Sequence, residues 1–139
     1  MIGWKHISLL LSFVSVFSLS PAQHPFEGKF ENKELDVRAV LNLYESSLPV
    51  PGLEIESCYG YVQGNINGMW VVLKVKELNG TRAVVRAVSE RGSDAQDLLM
   101  ETTAKGLSVR QVDGAYIKGV KNRKYVKLPK TFVLTRKDD

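Results

Sequence analysis

The chain is short of histidine, cysteine, long apolar runs and any strong excess of charge, and each shortage narrows what it can do. Its two histidines are His6 and His24. His6 falls in a segment read below as a removable leader, and His24 would stand second in the remainder. Histidine-based acid–base catalysis, a Cys–His pair and a histidine-rich metal site therefore have almost nothing to be built from. Cys58 is the single cysteine, so no internal disulfide can form and the fold must rest on packing. It reads as a small half-buried apolar residue, with an intermolecular disulfide or a reactive thiol as alternatives. No glycine-rich phosphate loop precedes a helix. No cofactor or metal is expected.

The longest apolar stretch, Ile7 to Leu19, spans about 13 residues and is broken only by small serines. That falls short of the ~20 needed to cross a bilayer. Lys5 precedes it, and Ser20 and Ala22 supply the small residues of a cleavage site. This is the three-part pattern of a secretory signal peptide over 1–22. It implies export, to the periplasm or beyond, with no stable membrane anchor after cleavage. No cysteine near the site offers a lipid attachment point. The remainder, 23–139, holds 117 residues with 18 basic and 15 acidic side chains. That is one domain with a single hydrophobic core, and its mild charge does not call for a polyanion such as nucleic acid.

What is present is a period of two. In "LDVRAVLNLY", Leu35, Val37, Ala39, Leu41 and Leu43 share a face, the alternation of a strand with one wet side. "MWVVLKVKEL" alternates Met69, Val71, Leu73 and Val75 with Trp70, Val72, Lys74 and Lys76. "TRAVVRAVSE" can turn either face inward. Asn79-Gly80 and Asp113-Gly114 read as hairpin turns of type I′. "NGT" at Asn79 also matches a glycosylation acceptor, although a tight turn needs the same residues. "SDAQDLLMETTAK" is the one helix candidate, and a strand is the preferred reading. Eight or nine strands joined by short turns predict an antiparallel meander. Closure removes exposed edges, so a small closed or nearly closed all-β barrel is expected, with a two-sheet sandwich second.

"FEGKF" and the terminal "TFVLTRK" resemble the lipocalin and calycin barrels. Those families open on a Gly-x-Trp strand whose ring is covered by a basic residue of the last strand. The resemblance implies that Gly28, Phe30 and Arg136 take these places, with Phe standing for Trp. Most of the remaining chain, notably "ELDVRAVLNLYESSLPVPG" and "KNRKYVKLPKTFVLTR", is similar to small exported bacterial proteins with lipocalin-like folds and unassigned function. That likeness brings no catalytic or binding residues with it.

Candidate sites are few. Glu54 and Glu56 fall on one face of "LEIES" but alternate with Leu53 and Ile55, and so read as solvated. Tyr59, Tyr61 and Trp70 surround the glycine-rich "GYVQGNING", where they either complete the core or line a ligand site. "KGVKNRKYVKLPK" carries six of the nineteen Lys and Arg residues and no acid. Its uneven spacing reads as a solvated hairpin turning at "KNRK", with Lys121, Arg123, Lys124 and Lys127 as a surface for an anionic partner. A single interleaved aromatic, Tyr125, is too few for a nucleic-acid groove. These features predict a non-enzymatic exported barrel that binds a small apolar or amphipathic ligand or a glycan. The alternative is a cavity-free interaction module acting through the basic hairpin or the aromatic patch. Oligomeric state is not legible.

Overall fold

Alternating side chains commit this chain to strands, and the computed structural model, which describes residues 24–52, 54 and 57–137, contains ten of them. They are β1 (Glu27–Asn32), β2 (Val37–Asn42), β3 (Gly60–Gly64), β4 (Trp70–Leu78), β5 (Arg82–Ser89), β6 (Ala95–Thr102), β7 (Gly106–Gly114), β8 (Lys118–Lys121), β9 (Lys124–Lys127) and β10 (Thr131–Arg136). Eight close into an antiparallel barrel in the order β1-β10-β7-β6-β5-β4-β3-β2, while β8 and β9 form a separate two-stranded sheet that touches the barrel through one bridge between Gly119 and Ile66. The barrel is thus a meander with one hairpin inserted before its last strand. The expected signal peptide, 1–22, lies outside the described residues.

Inward positions follow the pleat. Phe30, Val37, Ala39, Leu41, Val62, Val72, Leu98, Met100, Leu107, Val109, Phe132 and Leu134 are buried and pack as one cluster. The ambiguous strand β5 turns Ala83, Val85 and Ala87 inward. An eight-stranded barrel has room for little more than its own side chains, and small residues on β5 leave that room to the phenylalanines and Met100. The helix candidate is strand β6, paired with β5 on one side and β7 on the other.

Strand β4 departs from simple alternation. Its pairing with β5 shifts register between Val72 and Lys74 and again between Val75 and Glu77. Each shift inserts one extra residue, so Leu73 is left exposed while Trp70, Val72 and Val75 pack against the core. Val71 points outward, yet it is buried with Val50 and Cys58 beneath the connection between β2 and β3.

The second shift also positions a charge cluster on the outer wall. Lys76 Nζ and Arg86 Nη1 each donate to the Asp97 carboxylate at 2.7 Å. Asp97 is buried, whereas its two cationic partners are half exposed. Burial pushes its pKa up, but the hydrogen bonds and charges of Lys76 and Arg86 outweigh that and hold it below the ordinary value. A carboxyl depressed in the folded state stabilises fully above its unfolded pKa of about 3.9, and the contribution disappears as pH falls through the folded value. Asp97→Asn is therefore expected to cost about 1–2 kcal/mol at neutral pH. Urea melts at pH 7 and pH 3 should show the gap from wild type narrowing at the lower pH.

Two turns differ from expectation. Asn79-Gly80 does not form a type I′ turn, because neither residue adopts positive φ. Instead the Asn79 carboxamide oxygen accepts the backbone N–H of Thr81 and Arg82, each at 2.9 Å, closing a three-residue loop. Asp113-Gly114 makes no hairpin either: both residues continue β7 alongside β6. The left-handed pair occurs at Asn122 (φ 52°) and Arg123 (φ 65°), within "KNRK".

Candidate functional site

The two ends of the barrel are closed by different means. At one end Phe26 is fully buried, its backbone oxygen accepting Leu43 N–H at 3.1 Å. Arg136 lies over the Phe30 ring, 4.8 Å from its centroid, and donates to the carbonyls of Glu27 (2.7 Å) and Pro25 (3.1 Å). Gly28 (φ 136°) is required beside it, since a Cβ there would come within 2.5 Å of Arg136 Nη1.

The other end is covered by residues 115–130, which contain the β8–β9 hairpin. Two fully buried glutamines on inward positions hold this cap. Gln111 Oε1 accepts Ile117 N–H at 2.8 Å, and its Nε2 donates to Pro129 O at 3.1 Å. Gln96 Nε2 donates to Ala115 O at 2.9 Å, and its Oε1 accepts Asp113 N–H at 2.8 Å. An amide both accepts and donates, so each glutamine ties two backbone groups to the barrel wall, the buried Ile117 N–H among them. Ile117 and Leu128 then seal the mouth within the core cluster. The hairpin is pinned from outside by Asn65, whose backbone oxygen accepts Val120 N–H at 3.2 Å while its Nδ2 donates to Val120 O at 2.7 Å.

Between the cap and the β1–β2 turn runs an open groove of about 460 Å³. Leu35, Val120, Val126 and Leu128 give it apolar walls, and Lys121 and Lys127 also line it. Glu34 lines it as well. Lys127 Nζ lies over the Tyr116 ring, 5.1 Å from its centroid. A groove of about 400 Å³ beside β1 and β10 is lined by Glu31, Lys33 and Glu34, with Val133 as its only large apolar residue. Apolar walls with a net positive lining belong to the first.

The basic residues from "KGVKNRKYVKLPK" lie where a solvated hairpin puts them. Lys121 and Lys124 are exposed and face each other across the turn, with Arg123 at its tip and Lys127 on the return strand. The aromatic trio does not form one patch. Trp70 is buried inside the barrel, Tyr59 packs against the same core from its edge, and Tyr61 packs outside with Val71 and Cys58. The Trp70 indole N–H is buried without an acceptor among the described residues. Cys58 is free and buried, and burial pushes its thiol pKa up. Glu54 is exposed, while Glu56 lies outside the described residues.

Sequence reasoning missed Gln96 and Gln111. A signal was present: each is a polar residue on the inward phase of a strand, in "DAQDLLM" and "LSVRQV". It missed Leu35 as a groove wall because alternation assigns that residue to the core, and β2 begins two positions later. Compared with models of known protein families, with curated proteins and with solved structures, the chain finds no match in any of the three.

Proposed function

We propose that the protein is an exported, non-enzymatic β-barrel that binds a small amphipathic anion at its capped mouth. The observation that carries this is the groove of about 460 Å³ in which Leu35, Val126 and Leu128 stand beside Lys121 and Lys127. An aliphatic tail would cover the apolar walls, and a carboxylate or similar head would meet the ammonium groups. The inward side chains pack as one buried cluster, whereas the groove is open at the surface and accepts a ligand without rearrangement. Export rests on the leader pattern of 1–22. A lipocalin-like reading is supported by Arg136 lying across Phe30 beside Gly28.

A second reading places the ligand inside the mouth, after the cap swings away. The unpartnered Trp70 N–H favours it, because an unsatisfied buried donor costs about 1–3 kcal/mol that a ligand oxygen would recover. Native mass spectrometry of protein from an exporting host, with titration of dansyl-labelled undecanoic acid, separates the two. The groove predicts a saturable complex weakened about tenfold by Lys121→Glu with Lys127→Glu and indifferent to Trp70→Phe. The reverse pattern moves the ligand inside. A bare monomer that ignores the probe removes both.

A further inference from the structure

The β8–β9 hairpin breaks local rules that a purely structural hairpin has no reason to break. Its register sets Lys118 directly opposite Lys127 and Lys121 directly opposite Lys124. Like charges across an antiparallel pair repel, and one such pair would suffice to discourage edge association. Ion pairs among the described residues join Lys33 to Glu31, Arg38 to Asp36, and Lys76 and Arg86 to Asp97. None of them involves a hairpin cation. No acidic residue occurs in sequence between Asp113 and Asp138. The turn adds a second departure, since Arg123 holds a left-handed conformation that glycine or asparagine would adopt more readily. The third is aromatic: Tyr125 is 59% exposed beside the cations and does not line the groove. Rules broken together at one place mark a functional surface more often than a scaffold.

We infer that this hairpin docks the protein on an anionic phospholipid surface. Uncompensated, opposed lysines find there what the protein does not supply, a dense array of negative headgroups. Tyrosine suits the boundary between headgroup and acyl chain, with an apolar ring and a wet hydroxyl. Lysine stems lie along the same boundary while their ammonium groups stay among the phosphates. A soluble polyanion would satisfy the charges but give no use to the exposed Tyr125 ring. Binding is peripheral and reversible, because no inserted helix or acyl chain is involved. Arg123, Lys124 and Tyr125 do not line the groove, so docking does not depend on the groove being occupied.

The test is co-sedimentation of the protein with vesicles of phosphatidylcholine alone and of phosphatidylcholine with one-third phosphatidylglycerol. Binding is expected to the anionic vesicles only, and to weaken steeply as salt rises. Each basic residue near such a surface contributes roughly fivefold to partitioning. Arg123→Glu with Lys124→Glu should therefore reduce binding at least about twentyfold, and Tyr125→Ala should reduce it further with no change in charge. All three residues are exposed, and an unchanged thermal melt establishes that the variants fold. Lys121→Glu with Lys127→Glu affects both surfaces, so the groove is scored separately with the fatty-acid probe. Equal binding to neutral vesicles, or no binding to either, overturns the inference. So does capture by soluble heparin that outcompetes anionic vesicles of matched charge and ignores Tyr125→Ala, since that result assigns the hairpin to an acidic glycan.

Discussion

Gln111→Leu is expected to destabilise the protein by about 2 kcal/mol and to loosen the cap before the barrel. Leucine matches the volume of glutamine but can neither accept nor donate. The substitution orphans Ile117 N–H and Pro129 O, which Gln111 holds at 2.8 and 3.1 Å. Ile117 N–H is buried, and left unpaired it costs about 1–3 kcal/mol, whereas Pro129 is exposed and its carbonyl can turn to water at smaller cost; the added apolar side chain offsets part of the loss. Both orphans belong to residues 115–130, so relief is available locally if that segment lifts. Hydrogen exchange should then accelerate across Ile117 to Leu128 while β5 and β6 keep their protection. Uniform acceleration across the barrel would mean that cap and barrel open as one unit, and that the glutamines are core residues rather than a latch. A loosened cap also bears on the ligand. If the interior reading holds, the fatty-acid probe should enter Gln111→Leu faster than wild type, whereas groove binding should weaken as its walls lose definition.

That latch marks the limit of what alternation reveals. A period of two assigns faces, so the antiparallel meander and the inward set Val37, Ala39 and Leu41 were legible. Closure followed from the edge argument. Alternation is silent about residues whose partners lie off the strand, and the cap is made of these. Gln96 and Gln111 look like interruptions of an apolar phase until the backbone of 113–129 is placed against them. Bulges are equally hidden, because an extra residue such as Leu73 leaves its neighbours individually reasonable while moving the inward phase by one. Turn chemistry misled at Asn79-Gly80, where a side-chain oxygen supplied what positive φ was expected to supply. At Asn122-Arg123 the same geometry was reached without glycine, and charge density rather than turn propensity drew the eye to it. The aromatic trio failed to gather for the plainest reason: Tyr61 and Trp70 have opposite parity on neighbouring strands, Tyr61 pairing Val71 and Val62 pairing Trp70.

Arg136→Ala should cost about 3 kcal/mol, and Arg136→Lys should recover less than half of it. Three features of the guanidinium matter at once. It covers the Phe30 ring at 4.8 Å, donates to Glu27 O and Pro25 O at 2.7 and 3.1 Å, and reaches His24 O at 3.4 Å. Hydrogen bonds from a charged donor contribute about 1.5–3 kcal/mol each when well formed, and a cation over an aromatic face adds about 0.5–1. Partial exposure and the irregular fork keep the total near the lower end. A lysine supplies one charge at one point, so it can cover the ring or hold a carbonyl but not do both. The damage should be directional. Phe26, buried beneath the segment that Arg136 fastens, is the plug of this end, and losing the clamp should expose it while the capped mouth stays shut. Hydrogen exchange should therefore rise at Leu43, whose N–H bonds Phe26 O at 3.1 Å, and remain unchanged at Ile117. Gly28→Ala displaces the clamp by another route: at φ 136° an alanine strains the backbone, and its Cβ presses on the far end of the Arg136 side chain. The exchange pattern rather than the size of the loss is the readout there: faster exchange at Leu43 with Ile117 unchanged would trace the opening of this end to the displaced clamp. Equal protection at Leu43 in all three variants would show that the plug holds by packing alone.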